Sequence, residues 1–129
     1  MIKHIPLLLL FVFLFRISII ILGEHTVRIQ KNYDKLVHDM ASTAHIIDQL
    51  VSDGILNSDD SVEIMSKIVP SEMNRRLIGK IRDKNQYDKF IAALREDSIN
   101  AELADDIEQT DVTEHDMELL HSKKGVYVT

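Results

Sequence analysis

The stretch "RRLIGKIRDKNQYDKFIAALRED", residues 75–97, decides how the chain is read. Its second half sets Tyr87, Phe90, Ile91 and Leu94 at i, i+3, i+4 and i+7, a single apolar stripe suited to a helix facing a core. Its first half crowds Arg75, Arg76, Lys80 and Arg82 into about two helical turns. Charge of one sign at that density is either a solvated face or a surface meant for acid. One segment therefore carries a packing signal and a docking signal together.

The same helical spacing extends in both directions. Ile29, Tyr33, Leu36, Val37 and Met40 form the face of a first bundle helix. Ile47, Leu50 and Val51 form that of a second, with Gly54 as its C-terminal cap. The cluster "NSDD" starts a third, carrying Val62, Met65 and Ile68. Pro70 breaks the chain, and Ser71 is the expected N-cap of a fourth helix that turns Met73, Leu77, Ile78 and Ile81 inward. Asn85 with Asp88 reads as a capping pair for the fifth, and Asn100 as the opening of a last helix with Leu103, Ala104 and Ile107 facing in. No segment alternates for long enough to build a sheet. Helices of about three turns are unstable alone, so they must pack on one another. The expectation is an all-α bundle of six antiparallel helices over residues 24–110.

Residues 1–23, "MIKHIPLLLLFVFLFRISIIILG", are a different material. Residues 5–23 just reach the length of a membrane span, with Arg16 inside. A mid-span Arg costs about 2.5–3.5 kcal/mol on insertion scales, which the many Leu, Ile and Phe residues offset. Lys3 and the apolar run also suit a signal peptide, although Ile21 and Leu22 make a poor cleavage site. A gene-model artefact is the third reading. If the segment is an anchor, Arg28, Lys31 and Lys35 after it place the following domain in the cytosol. The tail, residues 111–129, has little apolar periodicity and reads as flexible.

The 129 residues include no cysteine, which excludes disulfides, thiolate metal sites and cysteine nucleophiles. The net charge of −6 gives no reason to expect nucleic-acid binding. The six histidines form no metal-ligand spacing, "DGILNSDD" lacks the ligand alternation of a calcium loop, and there is no phosphate loop or nucleophile elbow. No enzyme, cofactor or metal is expected.

Charge sign separates by helix. The first bundle helix carries Arg28, Lys31 and Lys35, and the fourth carries Arg75, Arg76, Lys80 and Arg82. The second and third carry Asp48, Asp53, Asp59, Asp60 and Glu63. If the first and fourth helices lie side by side, one flank is basic and another acidic. Such a molecule can dock head to tail on a copy of itself or a relative. The bland alternative is a set of wet helix faces. Against it, Glu72 and Arg76 are the one clear i, i+4 acid–base pair near the start of the fourth helix, so most of its cations lack a local partner.

The segments "HTVRIQKNYDKLVHDM", "IIDQLVSDGILNSDDSVEIM" and "RRLIGKIRDKNQYDKFIAALRED" resemble, in that order, the successive helices of a caspase recruitment domain (CARD), most closely the prodomain CARD of initiator caspases. The resemblance implies a six-helix death fold of Greek-key type and homotypic CARD–CARD binding in apoptosis or innate immune signalling. The partner it implies is another CARD, of an initiator caspase or an adaptor, with self-association as an alternative. It also implies that a basic face on the first and fourth helices meets an acidic face on the second and third. By position the basic role falls on Arg28, Lys31, Arg75, Arg76 and Lys80, and the acidic role on Asp48, Asp53, Asp59, Asp60 and Glu63. The chain departs from the family in having "DKNQYDKF" where a Gly-Pro turn is common, and in its hydrophobic leader. "TEHD" resembles sites that initiator caspases cut, which makes Asp116 a candidate cleavage point. A cytoplasmic adaptor, tethered to a membrane through residues 5–23, is the expected role. A CARD-only decoy and an unrelated secreted or tethered bundle are the alternatives.

Overall fold

The computed structural model describes residues 6–122, without the side chains of Ser18 and Ile19. Lys3 of the leader and residues 123–129 of the tail lie outside the described residues. Among those described the chain is all-helical, with eight helices: α1 (Leu7–Lys31), α2 (Tyr33–Asp39), α3 (Thr43–Ser52), α4 (Ser58–Met65), α5 (Pro70–Lys84), α6 (Tyr87–Leu94), α7 (Ser98–Glu108) and α8 (Glu114–Ser122).

The expected count of six is exceeded for two reasons. The first bundle helix is divided at Asn32, whose φ of −104° and ψ of 11° depart from the helix, so its apolar face continues across α1 and α2. A further helix, α8, forms where the sequence suggests flexible tail. The described part of the leader and the start of the bundle share one helix, because α1 runs without a break across Gly23 and Glu24.

The core gathers Leu36, Ile46, Ile47, Leu50, Ile64, Leu77, Ile78, Phe90, Leu94 and Ile107, all fully buried. The stripe of Tyr87, Phe90, Ile91 and Leu94 packs inward as its spacing requires. In α4 the spacing misleads. Val62 is 70 % exposed and Met65 also faces solvent, whereas Ile64 is fully buried; Ile68, 95 % exposed, lies beyond the end of α4. The phase of α4 is set by its N-terminal capping box: Asn57 Oδ1 accepts from the Asp60 amide at 2.8 Å, and Asp60 Oδ2 accepts from the Asn57 amide at 3.1 Å. That box turns Asp60 and Ile64 inward, one helical turn apart.

Other helix ends also differ from expectation. The N-cap of α5 is Val69 rather than Ser71, with Pro70 at the first helical position, where a missing N–H costs nothing. Asp97, not Asn100, caps α7, its carboxylate accepting from the Ile99 and Asn100 amides at 2.8 and 3.2 Å. Asn85 does not cap α6. It ends α5 in the left-handed region at φ 54°, and so makes the turn that "DKNQYDKF" has to supply without glycine or proline. Gly54, at φ 77°, terminates α3 as expected.

Two buried asparagines hold the α2–α3 turn, where Ser42 is also left-handed at φ 53°. Asn74 of α5 donates to the Val37 and Met40 carbonyls at 2.9 and 3.2 Å and accepts from Thr43 Oγ1 at 2.5 Å. Asn100 of α7 pairs with both backbone groups of Ala41, at 2.8 and 2.7 Å. These bonds fix the angle between α2 and α3, and hence the surface that α2 and α5 share.

Candidate protein-interaction surface

The apolar side chains Leu77, Ile78 and Ile81 bury one face of α5 and leave its basic residues outward. Arg75 pairs with Glu72 one turn earlier, in place of the expected Glu72–Arg76 pair. Arg76 reaches Glu63 of α4 at 3.9 Å. Lys80 Nζ lies 2.8 Å from Glu63 Oε2 and 3.3 Å from Asp60 Oδ1, and Lys84 lies 3.6 Å from Asp60. Arg82 donates to Gln30 of α1 at 3.1 Å. Arg75, Arg76, Gly79 and Lys80 line a shallow hollow beside Tyr33, which Gly79 leaves open because it has no side chain.

The α4–α5 network keeps its members charged. The hydrogen bond from Lys80 holds the Glu63 carboxyl below the usual range, and Glu63 and Asp60 together raise Lys80. Asp60 is held low first by the Asn57 amide and then by Lys80 and Lys84, against the opposing effect of burial.

Two of the five residues expected on the acidic face, Asp60 and Glu63, therefore turn towards α5 and bind cations expected on the basic face. The division into two independent flanks does not hold at this point. Asp48 of α3, Asp53 at its C-cap and Asp59 of α4 remain exposed to solvent.

The α1 half of the basic face is also occupied. Arg28 Nε donates to the Thr110 carbonyl at 3.3 Å, and its guanidinium lies 3.8 Å from Glu24. Lys31 Nζ lies 2.6 Å from Asp116 Oδ2 and 3.0 Å from the Asp111 carbonyl. It is α2, carrying Lys35, that packs most extensively on α5, while α1 packs on α7 and α8. Lys35 faces Asp106 of α7 at 3.5 Å.

Asp116 is buried, lies in the first turn of α8 and shares a capping box with Thr113, at 2.9 and 3.1 Å. A protease acting after Asp116 would need this segment extended and reachable, so in the folded chain the cleavage reading is not supported.

Sequence reasoning passed over Glu72 as the partner of Arg75, Lys84 as a member of the α4–α5 network, and the α8 contacts. Glu72 stands three residues before Arg75, a spacing visible in the sequence. The α8 contacts had no such signal.

The chain matches the family model of the caspase recruitment domain over residues 27–110, well over half its length. It belongs to the caspase recruitment domain family. No curated protein and no solved structure matches it. A CARD is a protein-interaction domain, not a catalytic one, and binds other death-fold proteins in apoptotic and immune signalling.

Proposed function

We propose that this chain recruits other CARDs, of an initiator caspase or an adaptor, through the basic surface of α5, in the regulation of apoptosis or innate immune signalling. Arg75 and Arg76 make the primary contact with carboxylates on the partner. Asp48, Asp53 and Asp59 offer the complementary surface to a second molecule. The observation that carries this reading is the cation excess on one outward helix face: among the described residues, the four cations Arg75, Arg76, Lys80 and Lys84 pair with the three carboxylates of Glu72, Glu63 and Asp60. Exposed ion pairs are worth about 0–1 kcal/mol, so a partner's carboxylates can replace the internal ones at little cost. The test is binding of the full chain in detergent to initiator-caspase CARDs at low and high salt, with an Arg75→Glu/Arg76→Glu variant. Loss of binding in the variant and at high salt supports the reading, and retention contradicts it.

The same proposal places the module on the cytosolic side of a membrane. By length and composition, α1 is the one helix among the described residues able to cross a bilayer. Leu7, Leu8, Leu9 and Leu10 point round the helix in turn and are 81 %, 73 %, 60 % and 43 % exposed, so this start of α1 is uncovered on every side. The full chain should float with phospholipid vesicles and stay with them in strong salt. Release into the soluble fraction would contradict the tether.

A further inference from the structure

Helix α8 lies beyond the CARD match, which ends at residue 110, yet it is docked on α1 in a specific way. A side chain at Gly23 would place its Cβ 2.6 Å from Met117 Cε and 3.2 Å from Leu120 Cδ2, so the absence of a side chain there admits α8 at close range. About two turns further along α1, Lys31 takes the Asp116 carboxylate of α8 and the Asp111 carbonyl before it, while Arg28 holds the Thr110 carbonyl just past α7. Asn32 seals the end of the contact, its amide donating to Thr110 Oγ1 at 2.7 Å. The docked segment is thus an acidic, amphipathic helix: Asp116 supplies charge to Lys31, and Met117 and Leu120 supply apolar contact to Gly23.

We propose that the α1 surface at Gly23 and Lys31 is a docking site for acidic CARD surfaces and that α8 occupies it in cis. This rests on the recruiting function proposed above and states how that function is regulated. With α8 docked, a partner meets only the α5 cations. With α8 displaced, Lys31 joins them and binding tightens. A nine-residue helix is marginal in isolation, so α8 persists only through its contacts and is suited to displacement.

Two substitutions in the full chain loosen α8 by different means. Gly23→Leu fills the space used by Met117 without changing charge, and Asp116→Asn removes the ion pair with Lys31. Hydrogen exchange of residues 114–122 reads the release, and titration with initiator-caspase CARDs reads the consequence. The expected result is faster exchange in both variants and binding about 5-fold or more tighter than the unaltered chain, the lower end of ordinary coupling between sites. Adding Lys31→Glu to either variant should cancel the gain. Faster exchange with unchanged affinity, while Arg75→Glu/Arg76→Glu still abolishes binding, overturns the cis-occupant inference and leaves the recruiting function standing. Unchanged exchange in both variants also overturns it. Absence of binding by the unaltered chain and by both released variants overturns the inference and the recruiting function together.

Discussion

Lys80 Nζ stands 2.8 Å from Glu63 Oε2, joining α5 to α4 within one chain. The two residues belong to helices that the charge pattern assigns to opposite docking faces. Their contact means that the basic and acidic surfaces share an edge rather than lying apart. Along that edge Lys80 serves the fold, while Arg75 and Arg76, further towards the start of α5, are the cations best placed to serve a partner.

This division of labour separates two charge reversals. Arg75→Glu/Arg76→Glu changes one half-buried and one exposed residue whose ion pairs are open to solvent, and should lower stability by about 1 kcal/mol or less. Lys80→Glu sets a third carboxylate beside Asp60 and Glu63 and should lower the melting temperature clearly below that of the double arginine variant. Thermal melts followed by far-UV circular dichroism check the order, and equal melting temperatures would contradict the role given to Lys80.

Asn74 should matter to stability as much as an apolar core residue does. Asn74→Ala strands the Val37 and Met40 carbonyls and the Thr43 hydroxyl in a buried position. The expected loss is about 2–3 kcal/mol, on the scale of unsatisfied buried polar groups. Urea unfolding measures it, and a loss under about 0.5 kcal/mol would contradict the locking role of this side chain.

The inward phase of α4 yields a paired test. Ile64 is fully buried and Val62 is 70 % exposed. Ile64→Ala should cost about 2–4 kcal/mol, while Val62→Ala should stay within about 0.5 kcal/mol of the unaltered chain. The reverse order in chemical denaturation would mean that α4 sits in the register suggested by Val62, Met65 and Ile68.

Acid should release α8. The Lys31 hydrogen bond, helped by the Thr113 amide, lowers the Asp116 carboxyl to about 2. A carboxylate lowered in the folded state contributes stability above its ordinary value of 3.8 and loses it as pH falls towards the folded value. Protection of the residue 114–122 amides should therefore be full at neutral pH and decline as pH drops from about 4 to about 2. Asp116→Asn should show the weakened protection already at neutral pH. Equal protection in the two proteins across that range would contradict the clasp.

The sequence is most legible where one physical cause acts alone. Tyr87, Phe90, Ile91 and Leu94 face the core because their spacing matches the helix and nothing competes. In α4 two causes compete, and the short capping box of Asn57 and Asp60 overrides the apolar residues at 62 and 65, while Ile68 falls beyond the helix end. Asn74 and Asn100 look like surface residues by type, and their burial depends on backbone groups more than thirty residues away. The charge partition is visible as a list of signs, but which cations are already neutralised depends on how α4 leans on α5. The docking of α8 is the least legible, because it rests on one glycine, one ion pair and two apolar side chains spread from residue 23 to residue 120.

Titration of the full chain in detergent against initiator-caspase CARDs asks whether Arg75 and Arg76 recruit another CARD. The expected result is salt-sensitive binding that disappears in Arg75→Glu/Arg76→Glu while the circular dichroism spectrum is unchanged. Binding of equal strength by the unaltered chain and that folded variant would contradict it.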